Sequence, residues 1–134
     1  MATLIPTLTL SSTDASTDLL SFSVTDSLTT KAPSVGLSTL IVDTTGANNI
    51  IVPANDNKQT WLYVKHTGTT DGSSSTIAHV DVELTGDVAV GTLKPNEFFW
   101  FPFCGNGSSV GVQLQAVSGS IQVEYGYWSD STAQ

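Results

Sequence analysis

The chain has 134 residues, with 12 acidic side chains against 4 basic ones and a formal net charge of -8 at pH 7. Charged residues are 12% of the total, about half the usual share, and 17 serines and 19 threonines stand in their place. Nucleic-acid binding is excluded, because a phosphate-binding surface needs clustered Lys and Arg, and Lys31, Lys58, Lys65 and Lys94 are scattered over an acidic chain with no arginine. No apolar run approaches the roughly 18 residues of a membrane-spanning helix. The opening Met1 to Pro6 lacks the basic start and long apolar stretch of a signal peptide. The single Cys104 forms no internal disulfide, so folding in a cytoplasm is expected. The length fits one domain, whose core needs neither metal nor disulfide.

The dominant hydrophobic period is two, and Gly and Pro punctuate the chain at short intervals, which predicts an all-β fold. Leu4 to Leu10 and Leu19 to Thr25 read as strands of irregular pattern. Residues 1–30 are expected to form an extended N-terminal arm or added strands, because so short a segment cannot close its own core. A β-sandwich domain, with the jelly roll as one form, is expected over 31–134, with the boundary near Thr30 to Pro33. Val35 to Asp43 and Asn49 to Val52 follow as strands, then Trp61 to His66. Thr67 to Ser75 is the longest polar loop and is expected to be mobile. Ile77 to Leu84 alternates cleanly, with Ala78, Val80, Val82 and Leu84 inward and His79, Asp81 and Glu83 outward. Thr85-Gly86 turns the chain into a returning strand, Val88 to Leu93.

Phe98 to Phe103 is apolar on both faces. It is either a central strand or one whose outer face meets a partner, and Pro102 argues for an edge or strand end. Val110 to Val117 and Ser120 to Tyr127 flank Ser118-Gly119 and are expected to form a hairpin, pairing Leu114 with Val123 and Val112 with Tyr125. That register puts these apolar pairs on one face and the glutamines on the other.

Candidate chemistry is sparse. His79, Asp81 and Glu83 share a strand face with Asp87 nearby, a set that suits a metal or acid–base work. A solvent-facing strand is expected to be polar at alternate positions anyway. His66 has no motif partner, and no Gly-x-Ser-x-Gly elbow is present. Cys104 lacks a basic neighbour and reads as a buried or half-buried inert thiol. Asn106-Gly107-Ser108 matches a sequon by chance, and Asn55-Asp56-Asn57 reads as a turn. No enzyme, cofactor or metal is expected. Aromatics are the unexplained feature: Phe98 to Phe103, Trp61 with Tyr63, and Tyr125, Tyr127 and Trp128. They suit a core plus a subunit interface better than sugar platforms.

Three segments together resemble small structural proteins of tailed bacteriophages, especially marine cyanobacterial phages. One is the opening Met-Ala-Thr-Leu-Ile-Pro-Thr-Leu-Thr-Leu with Leu19-Leu20-Ser21-Phe22-Ser23-Val24. The second is Leu93-Lys94-Pro95-Asn96-Glu97-Phe98, similar to a Leu-x-Pro-Gly-Glu-Phe turn with Asn96 where Gly is usual; both tolerate positive φ. The third is Val123-Glu124-Tyr125-Gly126-Tyr127-Trp128. The resemblance implies a virion component and no catalytic residue. Acidity places it outside the packaged genome. The expected role is a capsid decoration, or cement, protein that contacts the major capsid protein and forms a homo-oligomer within the particle. Leu4 and Ile5 of the arm, with Phe99, Trp100, Phe101 and Phe103, are the expected protein interface. Alternatives are a tail, neck or fibre protein, a glycan-binding host-recognition module with Trp61, Trp100 or Trp128 as platforms, and a small hydrolase using His79, Asp81 and Glu83.

Overall fold

The computed structural model describes residues 2–54, 58–104 and 110–133, with the backbone alone for 32–35, 58 and 131–133. Among them the protein is all-β, with a single 3-10 turn at Gly46–Asn48. The strands are β1 (Ala2–Leu4), β2 (Thr7–Ser12), β3 (Leu20–Thr25), β4 (Leu28–Val42), β5 (Ile50–Val52), β6 (Lys58–His66), β7 (Val80–Leu84), β8 (Val88–Leu93), β9 (Phe98–Cys104), β10 (Val112–Ala116) and β11 (Ile121–Ala133). Two sheets form a β-sandwich, one of five strands in the order β1-β4-β11-β6-β9 and one of four in the order β5-β10-β7-β8. β2 and β3 form a separate hairpin.

The pairing from β4 onward is nested. β7 pairs with β8, β6 with β9, β5 with β10 and β4 with β11, each pair antiparallel and each enclosing the one before. The domain is thus one long hairpin, rolled until β11 also meets β6 and β10 also meets β7. Its tip is the turn after Leu84, where Gly86 and Asp87 take φ of 99° and 62°. Counted from β4, one sheet holds the first, eighth, third and sixth strands, and the other holds the second, seventh, fourth and fifth.

This topology corrects the expected C-terminal hairpin. β10 and β11 lie in different sheets, and Val117 to Ser120 carries the chain from one to the other. The alternation itself was sound: Val112, Leu114 and Ala116 face Ile121, Val123 and Tyr127 through a common core. Apolar faces that were expected to lie side by side meet face to face instead. The same burial is achieved, and each strand keeps two hydrogen-bonded neighbours.

The core is completed by Val42, Ile51, Val52, Leu62, Val64, Val80, Val82, Leu93 and Phe103. Buried polar groups are paired. His66 accepts the Gly68 N–H at Nδ1 (2.9 Å) and its Nε2 lies 2.9 Å from the Ala78 carbonyl. That arrangement suits the neutral ring with its proton on Nε2. The hydroxyls of Thr60 and Ser129, both buried, lie 3.0 Å apart.

The expected β7–β8 hairpin is present. Phe98 to Cys104 is an edge strand, in keeping with Pro102. The turn into it has Pro95 at its second position and Asn96 at its third with φ 70°, closed by the Glu97 N–H donating to the Lys94 carbonyl (3.0 Å). This is the type II pattern. The Thr67 to Ser75 loop, expected to be mobile, is laced by hydrogen bonds. Asp71 Oδ1 accepts from the Ser73 and Ser74 amides (2.9 and 2.8 Å), and the Gln122 amide donates to the Thr69 carbonyl (2.9 Å).

The N-terminal segment divides in two. β1 extends the five-stranded sheet through pairs such as Thr3 with Thr29. The β2–β3 hairpin stands apart from both sheets. β4 begins at Leu28, so Thr30 to Pro33 lies inside a continuous strand.

Candidate functional site

Strand alternation sorts the aromatic run of β9 onto two faces. Phe99, Phe101 and Phe103 share the inner face, where Phe103 is buried in the core and Phe99 packs against it. Phe101 is partly exposed, because β9 and β8 are the open edges of their sheets. Phe99, Phe101 and Phe103 line a small gap there with Val82, Leu84 and Val90. Phe98 and Trp100 project from the opposite, outer face.

That outer face is aromatic across the sheet. Leu62, Val64 and His66 are buried inward, so Trp61, Tyr63 and Lys65 point outward on β6. Tyr63 is opposite Trp100 on one side and Gly126 on the other, and Trp61 is opposite Trp128. The Trp100 and Trp128 rings lie 6.2 Å apart, tilted by 39°. Such tilted contact is a favoured geometry for aromatic pairs. The Tyr63 hydroxyl donates to Glu124 Oε1 (3.2 Å). Burial, then the Glu124 hydrogen bond and charge, push the Tyr63 phenol above its ordinary pKa.

Beside this face the β2–β3 hairpin forms the second wall of a cleft of about 750 Å³. Leu8 and Val24 line it from the hairpin. Leu4, Leu37, Trp128, Tyr63, Phe98 and Trp100 line it from the five strands of the sheet in turn. Pro6, Thr7, Thr25 and Asp26 form its base. The hairpin is amphipathic by register. Leu8 is opposite Val24 and Leu10 opposite Phe22, while on the other face Thr7 meets Thr25 and Thr9 meets Ser23. The hydroxyls of those polar pairs lie 2.9 and 3.1 Å apart. Leu4 is therefore half-buried in the cleft wall, whereas Ile5 is exposed on the link to the hairpin.

Of the residues expected to form the interface, the structure brings Leu4 and Trp100 to the cleft and turns Phe103 into the core. Sequence reasoning took the N-terminal arm as a contact surface but named only Leu4 and Ile5 in it, and it passed over Leu8, Val24 and Leu37. Their signal was the strict alternation of Leu8 and Leu10 with threonine, which marks a two-faced strand wherever it is placed.

The polar candidates are dispersed into structural roles. Asp81 accepts from the Thr92 hydroxyl (2.6 Å). Glu83 was expected to point to solvent but is buried. Gly46 of the 3-10 turn lies against it, and Gln113 Nε2 donates to both Glu83 (3.0 Å) and Asp87 (2.8 Å). Asp43 organises that turn by accepting from the Thr45 amide (2.8 Å) and from Asn48 and Asn49, which hold its carboxyl below the usual range. Among the described residues no group of three His, Cys, Asp or Glu side chains is placed to hold a metal. Cys104 is exposed rather than buried, because Phe103 takes the inward position on β9 and sends its neighbour outward. Asn55-Asp56-Asn57 and Asn106-Gly107-Ser108 lie outside the described residues. No helix among the described residues is long and apolar enough to cross a membrane.

No protein-family model matches the chain, and no curated protein is significantly similar to it.

Proposed function

We propose that the protein is a structural component of a tailed-bacteriophage virion, serving as a capsid decoration protein that bridges coat subunits on the particle's exterior. The observation that carries this reading is the nested strand order, first-eighth-third-sixth against second-seventh-fourth-fifth. We read that order as a jelly roll, an architecture shared by viral capsid and lectin domains. The outward aromatic face agrees with it, since Trp and Tyr are enriched where proteins meet. So do the acidic charge, which suits a position away from packaged nucleic acid, and the resemblance of the Leu93 to Phe98 turn and the Val123 to Trp128 ending.

Many copies of a small domain on a symmetric shell multiply a modest contact into firm attachment. The major capsid protein is the proposed partner. Quantitative mass spectrometry of purified particles tests the position. Hundreds of copies per particle are expected. A dozen or fewer would move the protein to the neck, tail or fibre, and its absence from the particle would end the proposal.

A second reading draws on the Trp100 and Trp128 pair, which is also a surface on which a sugar ring can stack. The cleft beside it is lined mainly by carbon, with few groups to satisfy sugar hydroxyls. Glycan-array binding that vanishes in Trp100→Ala would favour this reading over a decoration role.

A further inference from the structure

We propose that the cleft is the self-association surface of the chain, and that its occupant is the apolar face of the β2–β3 hairpin of a second copy, exchanged reciprocally. A two-stranded hairpin is marginally stable unless its apolar face is covered. In one copy that face is left open, with Leu8, Leu10, Phe22 and Val24 between 41% and 57% exposed. In the structure the hairpin stands off its own sheet. It enters through Ile5-Pro6 and leaves through Asp26-Ser27. At that base the Asp26 amide donates to the Pro6 carbonyl (3.1 Å) and Asp26 Oδ1 accepts from the Ser27 amide (2.7 Å). Pro6 adds a fixed φ. The two apolar walls stand apart, and the space of about 750 Å³ between them is open to side chains from elsewhere.

The apolar face of the hairpin matches the apolar cleft, which makes a second copy the occupant, and charge permits it. A chain of net charge -8 repels itself over most of its surface. The hairpin strands contain no ionisable residue, and Asp26 and Tyr63 are the only ionisable groups among the described residues lining the cleft. Here two acidic chains can approach with least repulsion. A basic partner would be drawn to the acidic surface instead.

Area agrees. On the sheet wall Leu37, Phe98 and Trp100 remain 64%, 61% and 38% exposed. With the four hairpin side chains they present roughly 700 Å² per copy, so mutual coverage approaches the roughly 1,200–2,000 Å² of a stable interface. The exchange is isologous, since each copy offers one hairpin and one cleft.

The inference stands apart from the virion reading, because it concerns the purified chain alone. The test is analytical ultracentrifugation of the full chain with tryptophan emission recorded over the same concentrations. The wild type is expected at twice the 14.1 kDa monomer mass. Its emission should shift to the blue as dimer forms, because Trp100 and Trp128 lose water. A hairpin variant (Leu10→Asp with Phe22→Asp) and a cleft variant (Leu37→Asp with Trp100→Asp) change exposed positions, and circular dichroism checks that each keeps its strands. Each should sediment as a monomer.

A wild-type chain that stays monomeric at the highest concentration reached would overturn the proposal, whatever its copy number on particles. So would a dimer that survives in either variant.

Discussion

Gly111 sits where the β10 end of the rolled hairpin passes closest to β5, and a single methyl there tests that packing. A Cβ on Gly111 would lie 2.9 Å from the Ala54 nitrogen and 3.0 Å from the Pro53 carbonyl carbon, and nearer still to the Val52 oxygen. All three are backbone atoms, so no side chain can rotate away. β5 must retreat from β10 at the Val112–Val52 pair. Overpacking of this kind costs about 1–3 kcal/mol. A weakened ladder hydrogen bond adds about 1 kcal/mol, and the lower entropy of the unfolded chain returns about 0.4–1 kcal/mol. Gly111→Ala is therefore expected to destabilise by about 1–3 kcal/mol. At a urea slope of about 1–3 kcal/mol per molar, the midpoint falls by roughly 1 M. Gly36→Ala is the control, because nothing lies within 4 Å of its Cβ position. That variant should be neutral or more stable, as glycine within a strand costs about 0.5–1 kcal/mol. Urea titrations of the three proteins give the answer. A Gly111→Ala chain as stable as the wild type would refute the close approach of β5 and β10.

Gln113→Glu removes the amide that donates to Glu83 and Asp87 and sets a third carboxylate beside them. The loss at neutral pH should be about 2–3 kcal/mol, because a costlier carboxylate would take up a proton instead. The new carboxyl has a folded pKa raised above its unfolded value, so the loss is absent below about pH 4 and grows as pH rises through neutral. Thermal melts against pH that show an equal deficit at every pH would contradict this. At Asp71 the sign is opposite. Hydrogen bonds from the Ser74 and Ser73 amides lower its pKa from 3.8 to about 2, so its hold on the loop is present above pH 3.8 and is lost as pH falls through about 2. Amide shifts of Ser73 and Ser74 followed by NMR should titrate with that low midpoint, and a midpoint near 3.8 would show that the carboxylate is not bound.

The β7–β8 hairpin was legible because everything that defines it is local: clean alternation, a Thr-Gly turn and a short return. The turn at Lys94 to Glu97 was legible for the same reason, since Pro95 and Asn96 carry their backbone preference in their own covalent structure. The buried state of Glu83 was not legible. Its place in the alternation is a solvent position, and its neighbours Gly46 and Gln113 are distant in sequence. The aromatic run of β9 was recognised as excess, but its division into an inward trio and an outward pair required knowing which side of the strand meets the core.

The cleft was the least accessible feature, because it joins the first strand to the ninth and depends on how a hairpin is held at Pro6 and Asp26.

Side-chain period alone determined that this chain would be all-β, and it marked Val112, Leu114, Ile121 and Val123 as core positions. Partner choice came only with the tertiary structure. Backbone hydrogen bonds are chemically alike in every strand, so the alternation of β10 and β11 fits a hairpin within one sheet as well as two strands facing across a core. What decides between them is burial: the nested pairing gives both strands two neighbours and sets their apolar faces against each other. The flat hairpin would have left that common face to find its cover elsewhere.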